Sequence, residues 1–317
     1  MRPKSPQLNP TIGILYGGEL GSSLGRLLVG CGLSVVTTLE GRSPRTARLC
    51  QEAGLAVLPS LRAVAECADL VLSTVSPAAA LAVAEGYRAV RPASAPRQLY
   101  VDLNAVAPQT VRRIADVLTP TGVDFVDGAV HGLAAQLPSR GTVYLSGPNA
   151  PAVGQLFGQA LRVRVLGDQV GKASAFKMMI SGMAKGVVAL FVEMAVAARQ
   201  AGLLDDLLAC YRDAYPGIMD LVERMLPTYP RHAARRSEEL KEVEQTMIAL
   251  GLQPCMVHGA RRITTELSRA DLKPNCGAAS DEVGAASRAA PDSPARLAGP
   301  TKTVREIIEA FAVRMNH

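Results

Sequence analysis

Hydrophobic and polar positions follow different periods in the two halves of the chain. Between residues 11 and 167, short β-branched runs alternate with segments whose apolar residues recur every three or four positions. Strands that alternate with helices form parallel sheets with right-handed crossovers, so this half predicts a Rossmann-like, doubly wound α/β domain. The predicted strands are 11–15, 33–39, 69–75, 99–102, 124–127, 142–146 and 162–166.

From residue 172 to about residue 272 the apolar spacing is helical throughout, which predicts an all-α domain. Residues 273–300 are rich in Ala, Ser, Gly, Pro and Asp without periodic apolar positions, which is typical of a disordered linker. Helical spacing then returns, either as a docking helix or as a helical tail. The predicted segments are a flexible N-terminus (1–10), the α/β domain (11–171), the helical domain (172–272), the linker (273–300) and a C-terminal helix (301–317).

Composition narrows the class of partner. The net charge of +6 favours anionic small molecules, whereas scattered Lys and Arg residues, 4% aromatic residues and no Trp argue against nucleic acid. The six cysteines have no metal-ligand spacing, which indicates a reduced setting and no metal. The N-terminus lacks the apolar core of a signal peptide, and the most apolar run, 186–198, is too short for a membrane span. We therefore expect a cytoplasmic protein that binds neither nucleic acid nor membrane.

A glycine-rich turn follows the first predicted strand and precedes a helical pattern. A strand, glycine turn and helix in this order direct backbone N–H groups at a pyrophosphate. Tyr16 stands in place of the first glycine of the usual GxGxxG pattern, so a turn that merely needs glycines remains the alternative. The predicted cofactor-binding residues of this turn are Gly17, Gly18, Glu19, Leu20 and Gly21.

The end of the second predicted strand bears on the choice of cofactor. A carboxylate there would hold the ribose 2′-hydroxyl of NAD, while Arg or Ser would hold the 2′-phosphate of NADP. Gly41 occupies the usual place of the acid, so the sequence favours NADP over NAD, with Glu40 as the argument for NAD. The predicted contacts of the 2′-phosphate are Arg42, Ser43 and Arg45, and those of the ribose are Val75, Ser76 and Asn104.

The long predicted helix 173–201 carries a short polar row on one face. Ser174, Lys177, Ser181 and Lys185 recur at steps of three, four and four, and Val188 continues that face with an apolar side chain. A polar patch on an otherwise apolar rod favours the wall of a site. Two lysines whose aliphatic stems lie along apolar surface are the alternative.

Three segments resemble the β-hydroxyacid dehydrogenase superfamily. Residues 12–21 resemble its nucleotide turn, residues 127–133 (Asp-Gly-Ala-Val-His-Gly-Leu) its substrate loop, and residues 171–177 its catalytic stretch, with Lys177 in the lysine position. The chain looks most like the bacterial branch that resembles 6-phosphogluconate dehydrogenase, whose C-terminal helical domain has no settled function. The resemblance covers residues 11 to about 270.

This resemblance implies an NADP-dependent dehydrogenase or reductase that acts on a CH–OH group of a small polar, acidic substrate. Lys177 would be the general acid/base. The implied substrate-binding residues are Gly128, Val130, His131, Gly132, Ser181 and Lys185. The apolar central helix also predicts a homodimer formed through the helical domain.

The sequence departs from the superfamily pattern at four positions. His131 and Leu133 replace a Ser and a Gly of the substrate loop, and Ile180 and Ser181 replace two asparagines after the lysine. These departures leave two alternatives open: a reductase of imines or keto-acid adducts, and a non-catalytic NADP-binding protein. Lys177 weighs against imine reductases, which typically carry Asp or Tyr there.

Overall fold

The computed structural model describes residues 10–92, 95, 97–132, 134, 137–269 and 303–315. The predicted linker 273–300 and nearly all of the predicted flexible N-terminus lie outside the described residues. Two compact units are present, one formed by residues 1–182 and 241–254 and the other by residues 183–240 and 255–317. The chain therefore divides inside its longest helix, about ten residues after the predicted boundary at 171.

An eight-stranded sheet forms the core of the first unit. Its strands are β1 Thr11–Leu15, β2 Ser34–Thr38, β3 Ala56–Leu58, β4 Leu70–Ser73, β5 Leu99–Asp102, β6 Asp124–His131, β7 Thr142–Ser146 and β8 Arg162–Val165. The strand order is β3-β2-β1-β4-β5-β6-β7-β8, and every neighbouring pair is parallel except β6 and β7. A parallel return needs a crossover of a dozen or more residues, and the ten residues 132–141 are too few. The predicted α/β fold is confirmed, with this one antiparallel pair as a correction.

Helices alternate with these strands and cover both faces of the sheet. They are α1 Glu19–Gly30, α2 Pro44–Glu52, α3 Leu61–Cys67, α4 Ala80–Val90, α5 Pro108–Leu118, α6 Leu137–Arg140 and α7 Ala150–Phe157. Successive residues of a strand face opposite sides, so β4 contributes Leu70 and Leu72 to the core beneath α1 and Val71 to the core beneath α3, α4 and α5.

The remaining helices are α8 Lys172–Gln200, α9 Leu204–Ala214, α10 Pro216–Met225, α11 Tyr229–Ala249, α12 Cys255–Arg269 and α13 Val304–Met315. In the second unit, Val188 and Val192 of α8 are fully buried in one apolar cluster with Ile307 and Ile308 of α13. The C-terminal helix is therefore a docking helix and not a free tail. Helix α8 is long and apolar enough to cross a membrane, but 44% of its most apolar window is buried inside the folded chain.

Candidate functional site

The ends of β1, β4 and β5 lie level with one another and with the middle of the longer strand β6. Leu15 of β1 pairs with Ser73 of β4, Ser73 with Asp102 of β5, and Asp102 with Asp127 of β6. The strand order reverses between β1 and β4, which is where doubly wound sheets bind nucleotides. Three strand spacings separate Leu15 from Asp127, about 14 Å. The segments that follow β1, β4 and β5 therefore lie along one short edge, beside Asp127 of β6.

The glycine turn leaves its backbone open at one residue. Helix α1 begins after Gly18, which has no side chain to cap it. A Cβ built on Gly18 would meet nothing nearer than a backbone oxygen at 3.9 Å, whereas on Gly17 it would lie 2.7 Å from Cys50 Sγ and on Gly21 2.6 Å from Thr74 Oγ1. Gly17 and Gly21 therefore allow close packing, and of these three glycines only Gly18 leaves space beside its α-carbon for a phosphate to approach.

A cleft of about 430 Å³ opens beside this turn. The buried hydroxyl of Thr74 in its wall has no hydrogen-bond partner among the described residues. A hydroxyl without a partner, the open space beside Gly18 and an uncapped helix start fit the phosphates and ribose of a dinucleotide. The lining residues are Tyr16, Gly18, Arg42, Thr46, Thr74, Val75, Ser76, Ala79, Ala82, Val83 and Gly86.

Four predicted cofactor residues line this cleft: Gly18, Arg42, Val75 and Ser76. The other lining residues were not predicted. The small residues of α4 and the turn before it recur at helical spacing but carry no polar group, so their sequence gives no chemical signal. Tyr16 was noticed only as a departure from the glycine pattern.

The charged residues of the loop after β2 each contact a different partner. The Arg42 guanidinium carbon lies 4.2 Å from the centre of the Tyr16 ring. Arg45 forms an exposed ion pair with Glu19 at 3.6 Å, and the Glu40 carboxylate accepts a hydrogen bond from the backbone N–H of Leu61 at 3.3 Å.

Two further residues of this loop have backbone roles. Ser43 is the N-cap of α2, where its hydroxyl accepts a hydrogen bond from the Thr46 N–H. Gly41, where the acid usually stands, has a φ of +68°, a left-handed conformation that favours glycine. The sequence predicted neither role.

Asn104 supports the cleft from below, which corrects its predicted role as a ribose contact. The Val75 N–H donates to Asn104 Oδ1 at 2.6 Å, and Asn104 Nδ2 donates to Ser73 Oγ at 2.9 Å and to Asp102 Oδ2 at 2.8 Å. Both amide hydrogens are used and the residue is buried. Asn104 therefore fixes the turn that carries Val75.

Asp127 holds the start of α8 at the same edge of the sheet. Its Oδ2 accepts hydrogen bonds from the N–H groups of Gly171, Ala173 and Ser174 at 2.9 to 3.1 Å, and its Oδ1 accepts one from the Ser174 hydroxyl at 2.6 Å. Ser146 also donates to Oδ2 at 2.8 Å. Burial raises the pKa of Asp127, while the hydrogen bonds from Ser174 and Ser146 oppose that rise.

Asp102 is a second buried carboxyl group beside Asp127. Burial raises the pKa of Asp102 to about 7, and the neighbouring Asp127 charge adds to the rise, whereas hydrogen bonds from Asn104 oppose it. A carboxyl group with this pKa carries a proton in about half of the molecules at neutral pH. Sequence reasoning did not single out this pair of acids.

The polar row of α8 begins at Ser174, one of the residues that donate to Asp127. Ser174 and Ser181 are buried, and Lys177 between them is half-buried, so this face is turned into the protein. Lys177 lies three residues beyond Ser174, which is about 5 Å along the helix axis. Lys177 therefore lies about one helical turn beyond the residues of α8 that contact Asp127.

Lys185 does not belong to this site. Its ammonium lies 2.8 Å from the Glu239 carboxylate, and both side chains are about nine-tenths buried. Glu239 also contacts Arg235 at 3.1 Å. The prediction that Lys185 binds substrate therefore gives way to a buried ion pair in the helical unit.

The predicted substrate loop is largely a strand. β6 continues to His131 and pairs with β7 along residues 127–131. Val130 is buried in the apolar core, a Cβ on Gly128 would lie 2.6 Å from Leu103, and both residues pair with β7, so neither is open to a ligand. His131 is exposed at the end of the strand, and Gly132 follows it with a φ of +125°. Only these last two residues remain as candidates.

Comparison with known proteins supports the fold and the nucleotide site. Residues 11–155 match the family described as the NAD binding domain of 6-phosphogluconate dehydrogenase, and residues 198–267 match a Domain of unknown function (DUF1932). A solved conserved protein of unknown function, described as structurally similar to 3-hydroxyacid dehydrogenases, is 31% identical. The match covers 82% of this chain and 97% of that one, with a TM-score of 0.64.

More distant structures share the fold alone. A 3-hydroxyisobutyrate dehydrogenase from Salmonella typhimurium is 22% identical, with a TM-score of 0.68 and coverage of 82% of this chain and 94% of that one. An imine reductase from a Pseudomonas species is 17% identical, with a TM-score of 0.55 and coverage of 83% and 94%. The chain belongs to the 6-phosphogluconate dehydrogenase-like, β-hydroxyacid dehydrogenase superfamily, with an NAD(P)-binding domain followed by a DUF1932 domain.

Proposed function

We propose that this protein is an NADP-dependent oxidoreductase that transfers a hydride between the nicotinamide and a carbinol or carbonyl carbon of a small polar, acidic substrate. The observation that carries the proposal is that Leu15, Ser73 and Asp102 lie in register across neighbouring strands, with Asp127 of β6 next in the row. Through it, the glycine turn, the cleft and the Asp127-bound start of α8 share one edge of the sheet. The cofactor supplies the hydride chemistry, and the protein binds, orients and handles one proton.

The contacts of the loop after β2 favour NADP over NAD. Arg42 lines the cleft and offers a planar set of N–H donors that suits a phosphate. Glu40, the residue that argued for NAD, already accepts a hydrogen bond at the start of α3. The carboxylate that would bind a 2′-hydroxyl is therefore committed elsewhere.

Lys177 is the proposed general acid/base. Its ammonium would give a proton to the substrate oxygen during reduction, and its amine would take one during oxidation. Ser181, one turn further along the same face, would hydrogen-bond the substrate in place of the superfamily's asparagine. His131 and Gly132, at the end of β6, are the remaining candidates for a contact with the substrate carboxylate.

A second candidate function is reduction of imines or keto-acid adducts on the same scaffold. The shared fold of the Pseudomonas imine reductase and the replacement of two asparagines by Ile180 and Ser181 favour it. Retention of Lys177 favours the carbonyl chemistry. A non-catalytic NADP-binding protein is the remaining alternative, and it predicts nucleotide binding without turnover on either class of substrate.

Lys177→Ala tests the proposal most directly. Removal of the proton donor should lower turnover on a panel of hydroxy acids and their keto acids by about 10²-fold or more, with NADP affinity nearly unchanged. Steady-state kinetics and fluorescence titration of NADPH measure the two effects. Lys172→Ala is the matched control, because this exposed lysine begins the same helix. Unchanged turnover in Lys177→Ala would remove the lysine from the mechanism.

The proposal also covers the oligomeric state and the cellular location of the protein. We infer a homodimer formed through the helical domain, because α8 exposes Met183, Leu190 and Met194 on one face. Large exposed apolar residues in one stripe are typical of a surface that a partner covers. Cysteines without pairing patterns support a cytoplasmic location.

A further inference from the structure

We propose that Tyr16 is a specificity-determining residue whose ring holds the Arg42 guanidinium in position to receive the 2′-phosphate of NADP. This inference rests on the proposed nucleotide site and adds a residue that the glycine pattern does not include. It starts from two observations: the backbone conformation of Tyr16 and the stacked contact that its ring makes.

Tyr16 has an unusual backbone for a tyrosine. Its φ is +61°, and it is the one non-glycine residue with positive φ in the described part of the chain. A left-handed conformation is unfavourable for a bulky side chain, and glycine, the usual residue at this position, adopts it without strain. Strained residues of this kind persist where the contacts of the side chain compensate for the strain or serve the function of the protein. The reason for a tyrosine at this position should therefore be found in the contacts of its ring.

The ring contacts a cation without using its hydrogen-bond donors. The Arg42 guanidinium lies over the Tyr16 ring at 4.2 Å, within the range of a cation–π interaction. A cation–π contact holds the guanidinium through its charge, so N–H groups that do not face the ring remain available for phosphate oxygens. A carboxylate partner would instead occupy those donors and neutralise the charge.

The carboxylates of this region are engaged elsewhere. Glu19 pairs with Arg45, and Glu40 accepts from the Leu61 N–H. Among the residues that the structure describes, no carboxylate lies within ion-pair distance of Arg42. Arg42 thus keeps its full charge at the cleft, and Tyr16 determines where that charge lies.

Both residues line the same cleft, where Thr46 and Ser76 add hydroxyl groups. A 2′-phosphate in this cleft would meet one oriented cation and neutral donors. NAD lacks that phosphate, so the contact between Tyr16 and Arg42 would not increase its affinity. The Tyr16 ring should therefore change the affinity for NADP and leave that for NAD nearly unaltered.

The test compares Tyr16→Leu with Tyr16→Phe in the full-length protein. Both variants keep a β-carbon and hence the same backbone penalty, but only Phe keeps an aromatic face. Dissociation constants for NADP, NAD and 2′,5′-ADP are measured by calorimetry. Tyr16→Leu should weaken NADP and 2′,5′-ADP about five- to tenfold and NAD less than about twofold, while Tyr16→Phe stays within about twofold of wild type. Tyr16→Gly, which removes the ring and relaxes φ, should repeat the Leu result even if Leu folds poorly.

A double-mutant cycle with Arg42→Ala identifies the route of the effect. If Tyr16 acts through Arg42, Tyr16→Leu should cause no further loss of NADP affinity in the Arg42→Ala background. Additive losses, equal losses of NADP and NAD, or equal effects of Leu and Phe would each overturn the inference. Failure of the wild-type protein to bind either dinucleotide would instead overturn the proposed function.

Discussion

At the scale of single residues, the two neighbouring buried acids of β5 and β6 are the most consequential feature. Asp102 and Asp127 pair in register in the centre of the sheet, and both are fully buried. Asp127 accepts five hydrogen bonds that suit a negative charge, whereas Asp102 has no cationic partner in the described part of the chain. Two adjacent carboxylates in a low-dielectric interior repel each other, so one of them retains a proton.

This arrangement predicts a pH dependence of stability that depends on Asp102. Its pKa is raised to about 7 in the folded protein, so the folded state binds more protons than the unfolded state between about pH 4 and pH 7. The free energy of unfolding should therefore fall as pH rises through this window and level off above it. In Asp102→Asn this contribution is absent. The difference in unfolding free energy, variant minus wild type, should grow by on the order of 1 kcal/mol per pH unit.

Urea denaturation of both proteins at pH 5, 6, 7 and 8 measures that difference. A constant offset between the two curves would reflect only the lost hydrogen bond to Asn104. It would mean that Asp102 is ionised throughout the range, contrary to the prediction.

At the scale of elements, the start of α8 depends on a side chain from the sheet. A carboxylate at a helix N-terminus satisfies exposed N–H groups and interacts favourably with the helix dipole. Asp127 does both for Gly171, Ala173 and Ser174, although it lies more than 40 residues earlier in the chain. The position of Lys177 therefore depends on a strand residue.

Asp127→Asn should loosen this helix start. Loss of a buried, charge-assisted acceptor should lower the free energy of unfolding by about 2–3 kcal/mol and speed amide hydrogen exchange at residues 171–174. Turnover should fall more than cofactor affinity, because the lysine loses its fixed position while the cleft remains. Asp124→Asn is the control, since this aspartate begins the same strand and pairs with the exposed Arg97. Equal exchange rates in the two variants would show that α8 does not need Asp127.

Sequence patterns predicted the elements better than they predicted the contacts between them. The apolar runs gave β1, β5 and β7 with correct bounds, whereas the three-residue β3 was too short to show a period. β6 was predicted four residues too short because residues 127–133 resemble a substrate loop. The pairing of Lys185 with Glu239 joins residues 54 positions apart, so no local pattern could reveal it.

In the candidate site, too, local features were predicted and contacts between elements were not. Gly18 and Arg42 were predictable because turn geometry and charge have local signatures. The role of Asn104 as a support and the α4 wall of the cleft depend on which strands and helices become neighbours. Which strands and helices become neighbours depends on the tertiary packing of apolar surfaces, and the chemistry of Asn104 or of the α4 residues does not reveal it.

At the scale of the whole molecule, the apolar stripe on α8 predicts self-association. Met183, Leu190 and Met194 are 71%, 48% and 40% exposed on one continuous helix. A glutamate at position 183 would place a charge inside any interface that covers this stripe. Met183→Glu should therefore convert a dimer to a monomer at micromolar concentration, as measured by light scattering after gel filtration.

Met256→Glu is the matched control, because Met256 is equally exposed but lies on α12. It should leave the molar mass unchanged. A wild-type protein that is already monomeric, or a Met183→Glu variant that remains dimeric, would contradict the proposed interface.

The conformation of Gly41 limits how the protein can evolve or be redesigned. An acid at this position would be the simplest route from the proposed NADP preference to one for NAD, but the left-handed backbone there favours glycine over a residue with a side chain. Glu40 could take that part only if α3 gave up the hydrogen bond to the Leu61 N–H. A change of cofactor would therefore require several residues of this loop to change together. Single substitutions should remove the proposed preference for NADP before they create a preference for NAD.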